Sequence, residues 1–427
     1  MKDLWKNILL AAASIAVGFL ICEAIFRFYY HQKNMVPAIT EDKRCAIDVY
    51  ETHKNLLESK NFNLENRKHV THPILGWEPK PNFIEGTDDT LSTGNGTEKI
   101  YALDTQYNSL GLRSSKDYSK KRPKGIVRIS ALGDSFTLGV DALQPFSYPA
   151  MLEAITKNTE VLNFGVSGYG VDQMYLRFLN ETLDYENNAI VMGIFTDDLR
   201  RSAITCKDYL KPKFVIQDGR LKLTNTPIPT LEDYLTSYKE PKLESYFIKH
   251  LLNKIYHINL AERQYDDGFF VSKLILNEMK DITRKKNIFF MVVIVSPKED
   301  QKIDKGMRGK LRDFLNEQDI IFIDSIDVFK KANLSDYKGY NFHVGGGHFN
   351  SLGNALVAQK IKNILEENKV IEKTHNYHFA SNSFFSEEIM SVQNMENESD
   401  IRYITNIMPA NSTLEIAKQY APFKAKI

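Results

Sequence analysis

VRISALGDSFTLGV, Val127–Val140, runs from alternating β-branched and apolar residues straight into Gly133-Asp134-Ser135, with Gly139 close behind. A buried strand that ends by handing a small hydroxyl to a glycine-flanked turn has two explanations. In the first, glycine makes a tight turn and Ser or Asp caps the next helix, as in any α/β protein. In the second, the turn displays the Ser135 hydroxyl at the carboxyl edge of a sheet, where open α/β folds keep their sites. A lone Gly-Asp-Ser does not separate them. The rest of the chain must.

Outward from this stretch, short apolar strands alternate with amphipathic helices. The pattern predicts strands over Gly125–Leu132, Glu160–Phe164, Ala189–Phe195, Asn287–Val295 and Asp319–Asp324. It predicts helices over Ser147–Lys157, Val171–Leu183, Phe269–Lys285, Lys305–Glu317 and Ser351–Glu367. Strands separated by helices at this spacing form βαβ units, hence an α/β fold with a parallel sheet and helices on both faces. The runs AIVMGIF and IFFMVVIV are nearly continuous in apolar residues, as burial of both sheet faces requires.

Around this body lie four other regions. Ile8 to Phe26 carries one charge, Glu23, and about 20 apolar residues suffice to cross a bilayer, so residues 1–27 are expected to form an N-terminal transmembrane anchor. A cleaved signal peptide is the rival, although no small-x-small site follows the apolar run. Residues 28–70 are polar and lysine-rich, a stalk or loosely helical lead-in, and the main body is placed at 71–372. HPILGWEPKPNF and YALDTQYNSLGLRSS suggest a small β-rich subregion beside it. Residues 206–262 form an insertion in which FVIQDGRLKL reads as a hairpin turning at Asp218-Gly219, and insertions after a strand's carboxyl end usually overhang the ligand crevice as a cap. Residues 373–427 lack a sustained periodic core and read as an accessory tail.

The totals exclude more than they assign. With 427 residues, 43% hydrophobic and 26% charged, and a formal net charge of +1, the chain has no electrostatic reason to meet nucleic acid. Cys22, Cys45 and Cys206 form no CxxC pair and no Cys/His cluster at metal spacing, so zinc and iron–sulfur sites are not expected; GVSGYG fits neither GxGxxG nor a Walker loop, and no cofactor is expected. A Cys45–Cys206 disulfide requires a domain outside the cytoplasm, and spacing alone leaves it open.

Three further segments fall at the carboxyl ends of the predicted strands or just before the last helix. NFGVSGYG, Asn163–Gly170, has glycines that let the backbone approach a ligand and aim an N–H at a developing oxyanion. GIFTDDLRR, Gly193–Arg201, ends the third strand. In GGGHFNSLGNALVAQKI, His348 stands just before a helix capped by Asn350 or Ser351. With RISALGDSFTLG, VLNFGVSGYGVDQ and the NSLGLR segment, the chain resembles SGNH/GDSL-type hydrolases, and more closely their membrane-anchored bacterial group, over roughly residues 70–370.

The resemblance implies a three-layer α/β/α sandwich around a five-stranded flavodoxin-like sheet. It implies Ser135 as nucleophile and oxyanion donor, Gly168 as a second oxyanion donor, and His348 as general base. A serine hydroxyl is a poor nucleophile until an imidazole takes its proton, and neutral histidine suits that task near pH 7. Asp134, Asn163, Arg200 and Arg201 are the candidate substrate-binding side chains; the two arginines equally suit pairing with neighbouring aspartates or a solvated helix start.

Two positions depart from the family's pattern. Where it has an oxyanion-donating Asn, this chain has Asp197, followed by Asp198, and an ionised carboxylate has no proton to donate. Where it has an acid three residues before the histidine, this chain has Gly345. Three expectations stay open: Asp197 or Asp198 orients His348 from the neighbouring strand; Ser135 and His348 act as a dyad with a main-chain carbonyl holding the imidazole; or the scaffold only binds, for example a glycan. The expected activity is that of a single-pass, extracytoplasmic esterase acting on an acylated small molecule or cell-surface glycan.

Overall fold

A computed structural model describes residues 2–32, 45, 49–50, 53, 68–84, 106–140, 142, 144–207, 209–238, 245–257, 260–295, 302–332 and 347–374. The chain opens with α1 (Lys2–Gln32), followed by the antiparallel pair β1 (His69–His72) and β2 (Gly76–Pro79). The sheet-forming body begins with β3 (Val127–Gly133), α2 (Ser135–Leu138), α3 (Tyr148–Ala154), β4 (Thr159–Gly165), α4 (Val171–Asn180), β5 (Ala189–Phe195) and α5 (Thr196–Arg201). An insertion carries β6 (Lys213–Gln217), β7 (Arg220–Thr224), α6 (Leu231–Ser237) and α7 (Tyr246–His257). The body closes with α8 (Leu260–Lys285), β8 (Phe289–Val295), α9 (Lys302–Glu317), β9 (Ile321–Asp324), α10 (Ser325–Lys331) and α11 (Ser351–Glu367).

Five strands form one parallel sheet in the order β4-β3-β5-β8-β9. Counted along the chain this is the flavodoxin-like order 2-1-3-4-5, whose crevice lies between the first and third strands, here β3 and β5. Alternation along the strands splits the core into two layers. Leu132, Leu162, Phe164, Met192, Ile194, Val292 and Ile294 face α4, α8 and α9. Ile129, Ala131, Val161, Val191, Val293 and Ile323 face α3, α10 and α11. Period-2 strands with both faces apolar can be stable only between two helical layers. The expected three-layer α/β/α sandwich is what the chain forms.

The flanking regions differ in places from the sequence-based expectation. Helix α1 continues through Gln32, past the expected anchor boundary at residue 27. Within the lead-in, Cys45, Val49 and His53 are buried, Tyr50 stacks on Tyr238, and Cys45 is disulfide-bonded to Cys206, so this part is packed onto the body. The hairpin turn has positive φ at both Asp218 and Gly219, as a two-residue connection demands. The insertion contributes Tyr209, Phe214, Ile228, Leu231 and Leu235 to the same apolar layer as Leu75 and Trp77. Its Lys211 is fully buried, donating from Nζ to Asp172 and to the carbonyls of Arg201 and Ile204. It is therefore a flank sewn to α4, α5 and the β1–β2 pair. The expected accessory tail, residues 373–427, lies outside the described residues beyond Thr374.

Candidate active site

The site begins with three glycines. Gly133, Gly165 and Gly193 end or nearly end the adjacent strands β3, β4 and β5, and Gly133 pairs with Gly165. A Cβ on Gly133 would lie 1.9 Å from Thr137 Oγ1, one on Gly193 2.4 Å from the same atom, and one on Gly165 2.3 Å from the Leu138 nitrogen. Only bare backbone lets the single turn of α2 settle onto the sheet edge. Asp134 starts that turn: its Oδ1 accepts from the Phe136 N–H at 2.9 Å. Gly139 ends it in the left-handed region at φ 85°. Arg113, the last residue of NSLGLR and buried, grips the same end by donating to the carbonyls of Leu138 (2.6 Å), Gly139 and Ala142 (2.7 Å).

Ser135, the first residue of α2, meets His348 across the sheet edge, with Oγ 2.7 Å from Nε2. In the tautomer protonated at Nδ1, Nε2 accepts the serine proton. Asn350 caps α11 through the Gly353 N–H at 2.9 Å, and Asn354 bonds the carbonyls of Phe349 and Asn350 while accepting from the Tyr148 N–H. His348 is thereby tied to α3 on the same side of the sheet, its ring 4.8 Å from that of Phe136.

The second glycine-rich segment supplies a turn, closed by the Tyr169 N–H on the Val166 carbonyl, with Gly168 at φ 81°. Among the described residues the Gly168 N–H donates to no acceptor, and the Ser135 N–H, first in its helix, has no intrahelical one. Trp77 holds this turn by donating from Nε1 to the Ser167 carbonyl at 3.1 Å.

Three site expectations are corrected, and the choice left open for the two arginines falls to their aspartate partners. Asp197 and Asp198 do not orient His348. Asp197 accepts from Arg200 Nε (2.7 Å), Arg201 Nε (2.9 Å) and Tyr265 (3.3 Å), whereas Asp198 accepts from Arg201 Nη1 (2.8 Å) and the Phe195 N–H (2.8 Å). Asp134 is fully buried as a helix cap, and is not placed to bind substrate. Asn163 is also buried, with Nδ2 on the Thr137 carbonyl and Oδ1 on the Gly165 N–H; it staples α2 to β4. Arg201 is a buried clamp on Asp134, Asp197 and Asp198, and Arg200 is spent on Asp197. Gly345 lies outside the described residues.

The electrostatics behind the nucleophile follow from this clamp. Burial pushes the Asp198 carboxyl well above its usual range, and the nearby Asp134 charge adds to the effect. Asp134 is also raised by burial, against the pull of Arg201. Two buried carboxyls sharing one guanidinium favour retention of a proton between them. Asp197 is lowered, because Arg200 and Arg201 outweigh its burial. Its negative charge is thus neutralised within the side-chain layer.

Sequence reasoning missed Arg113, Thr137, Tyr265 and the glycine floor. The signal for Arg113 was present in NSLGLR, but nothing local says that its partners stand 25 to 29 residues away.

No family model matches the sequence, and no curated protein matches it. Solved structures similar to the chain include a member of the lipolytic protein G-D-S-L family from Veillonella parvula, 16% identical with a TM-score of 0.32, covering 56% of this chain and 97% of that one. A GDSL-like lipase from Bacteroides thetaiotaomicron is 13% identical with a TM-score of 0.31, covering 56% and 88%. A catalytic mutant of an acetylxylan esterase from Geobacillus stearothermophilus is 11% identical with a TM-score of 0.34, covering 59% and 100%.

Proposed function

We propose that the chain is an SGNH/GDSL-type serine acyl hydrolase held to a membrane by α1. The observation that carries the reading is the 2.7 Å contact between Ser135 Oγ and His348 Nε2. In the proposed reaction, His348 takes the hydroxyl proton as Oγ attacks an ester carbonyl, and the carbonyl π electrons move onto oxygen. The N–H groups of Ser135 and Gly168 receive that oxyanion; removing one such donor typically costs about 2.7–4 kcal/mol of transition-state stabilisation. The oxyanion collapses, the C–O bond to the alcohol breaks, and the leaving oxygen takes the proton from His348. Water, or an acceptor hydroxyl in a transfer reaction, then attacks the acyl-enzyme by the same proton route and frees Ser135.

Asp197 and Asp198 are committed to arginines, which favours a Ser135–His348 pair over a triad built from these acids. Acetyl on a cell-surface carbohydrate is the substrate class that the sequence resemblance implies. The Cys45–Cys206 disulfide supports an extracytoplasmic body, since such bonds persist in oxidising compartments. Helix α1 is long and apolar enough to span a bilayer, and its apolar side chains are largely exposed.

A serine-directed fluorophosphonate is the direct test. Labelling of the full-length protein that disappears in Ser135→Ala and drops sharply in His348→Gln is the expected result. Folded wild-type protein that takes up no label would instead favour a scaffold that binds without catalysing.

A further inference from the structure

Glu23 is the one carboxylate inside the apolar run of α1, and its partners are unusual. Its oxygens accept from Ser245 Oγ at 2.7 Å and from the N–H groups of Tyr246 and Phe247 at 3.0 and 3.1 Å. These are the first N–H groups of α7, so a side chain from the N-terminal helix caps the start of a helix more than two hundred residues later. A carboxylate there satisfies orphan donors and complements the positive end of the helix dipole.

The rest of the contact is continuous with this cap. Phe19, Glu23, Phe26 and Tyr30, spaced along one face of α1, meet α7: Phe26 packs on Phe247 and His250, Phe19 on Phe247, and the Tyr30 hydroxyl lies 2.9 Å from His250 Nδ1. Phe247 and His250 are three apart and share the inner face of α7. Ile248 and Leu251, also three apart, lie on a different face and are 44% and 50% exposed. On α1, Ile21, Ile25 and Phe28 lie on the face turned away from α7 and are also exposed.

Length places this contact relative to a bilayer. The run Ile8–Phe26 is about 28 Å long at 1.5 Å per residue, close to the roughly 30 Å of a hydrocarbon core. Phe19 to Phe26 then occupy the body-side third of the membrane, with Glu23 about 5 Å below the end of the run. A helix seated there brings its outer face to the acyl-chain and headgroup boundary.

We propose that α7 is an interfacial helix: seated on α1 through Glu23, it lies in the lipid boundary on the body side, with Ile248 and Leu251 among the acyl chains. This rests on the membrane-anchor reading of α1. Next in sequence to α7, α8 packs on α5, with Gly268 against the Leu199 carbonyl and Tyr265 on Asp197.

The test uses the full chain with Cys22→Ser, single nitroxide labels at Ile15→Cys, Ile248→Cys, Leu251→Cys and Arg220→Cys, and nanodiscs of phosphatidylcholine and phosphatidylglycerol. Relaxation by oxygen is compared with relaxation by a water-soluble nickel chelate. Labels at 15, 248 and 251 are expected to prefer oxygen, and the label at 220 nickel. If 15 prefers oxygen while 248 and 251 prefer nickel, the anchor stands and the interfacial helix is overturned. If 15 itself prefers nickel, the anchor reading fails and takes the proposal with it. Adding Glu23→Ala should shift 251 toward nickel while 15 is unchanged, with Glu23→Gln intermediate; no shift would overturn the role of Glu23.

Discussion

Replacing Arg113 with alanine removes the guanidinium that closes the carboxyl end of α2 on the carbonyls of Leu138, Gly139 and Ala142. The side chain is buried, so water does not already share these acceptors. A hydrogen bond from a charged group contributes about 1.5–3 kcal/mol, and two terminal nitrogens make these bonds, which gives an upper figure of about 3–6 kcal/mol. Water entering the vacated space recovers part of it, so a net loss of about 3 kcal/mol is expected. The same carbonyls end the turn that Ser135 begins, and small misplacement of a reacting group costs up to about a hundredfold in rate. Denaturant unfolding of the detergent-solubilised full chain reads the first effect, and the rate of fluorophosphonate labelling reads the second. Arg113→Lys keeps the charge but not the fork, and should fall between wild type and alanine in both. A loss under about 1 kcal/mol with unchanged labelling would refute the reasoning, and would mean that packing on the glycine floor holds α2 unaided.

Gly165→Ala drives a Cβ to 2.3 Å from the Leu138 nitrogen, where only backbone can yield; we expect at least about 1–3 kcal/mol of destabilisation and loss of labelling. Gly309→Ala, in α9 with nothing within 4 Å, should shift stability the other way by about 0.5–1 kcal/mol, and both are read by the same unfolding curves. Asp197 has a folded pKa below its ordinary value of 3.8, so its contribution is present above that value and is lost as pH falls through the lowered one. The stability gap between wild type and Asp197→Asn should be full at pH 7 and close in strong acid; a gap that widens on acidification would contradict the arginine pairing. The Cys45–Cys206 bond closes a loop of 161 residues, worth about 5 kcal/mol by chain entropy alone, so reductant should lower the melting temperature and convert a mass-identified cross-linked peptide into two.

The parts of the fold that could be read from sequence are those written in local patterns. Ala189–Phe195 and Ser351–Glu367 occupy their expected bounds because one is an unbroken apolar run and the other starts at an Asn cap. Helix α8 begins at Leu260, ahead of the expected Phe269, since LAERQYDDG offers few apolar positions and gains its order from packing on α5 and α7. Ser135 and His348 were legible because each sits in a short motif beside a strand end or helix start. Asn163 was given to a ligand because it stands next to a presumed cleft, whereas tertiary packing gives it to backbone groups, and of the uses left open for Arg200 and Arg201 packing selects the aspartates. That choice depends on how α4, α5 and α8 close around them, which no single segment records.

The hydroxyl and the imidazole are separated by 213 positions, one beside the first strand of the sheet and the other beside its last helix. Removing everything from residue 348 onward would leave the hydroxyl without its imidazole partner. On the proposed mechanism, a chain cut ahead of residue 348 would take up no fluorophosphonate at Ser135, whatever the state of its sheet.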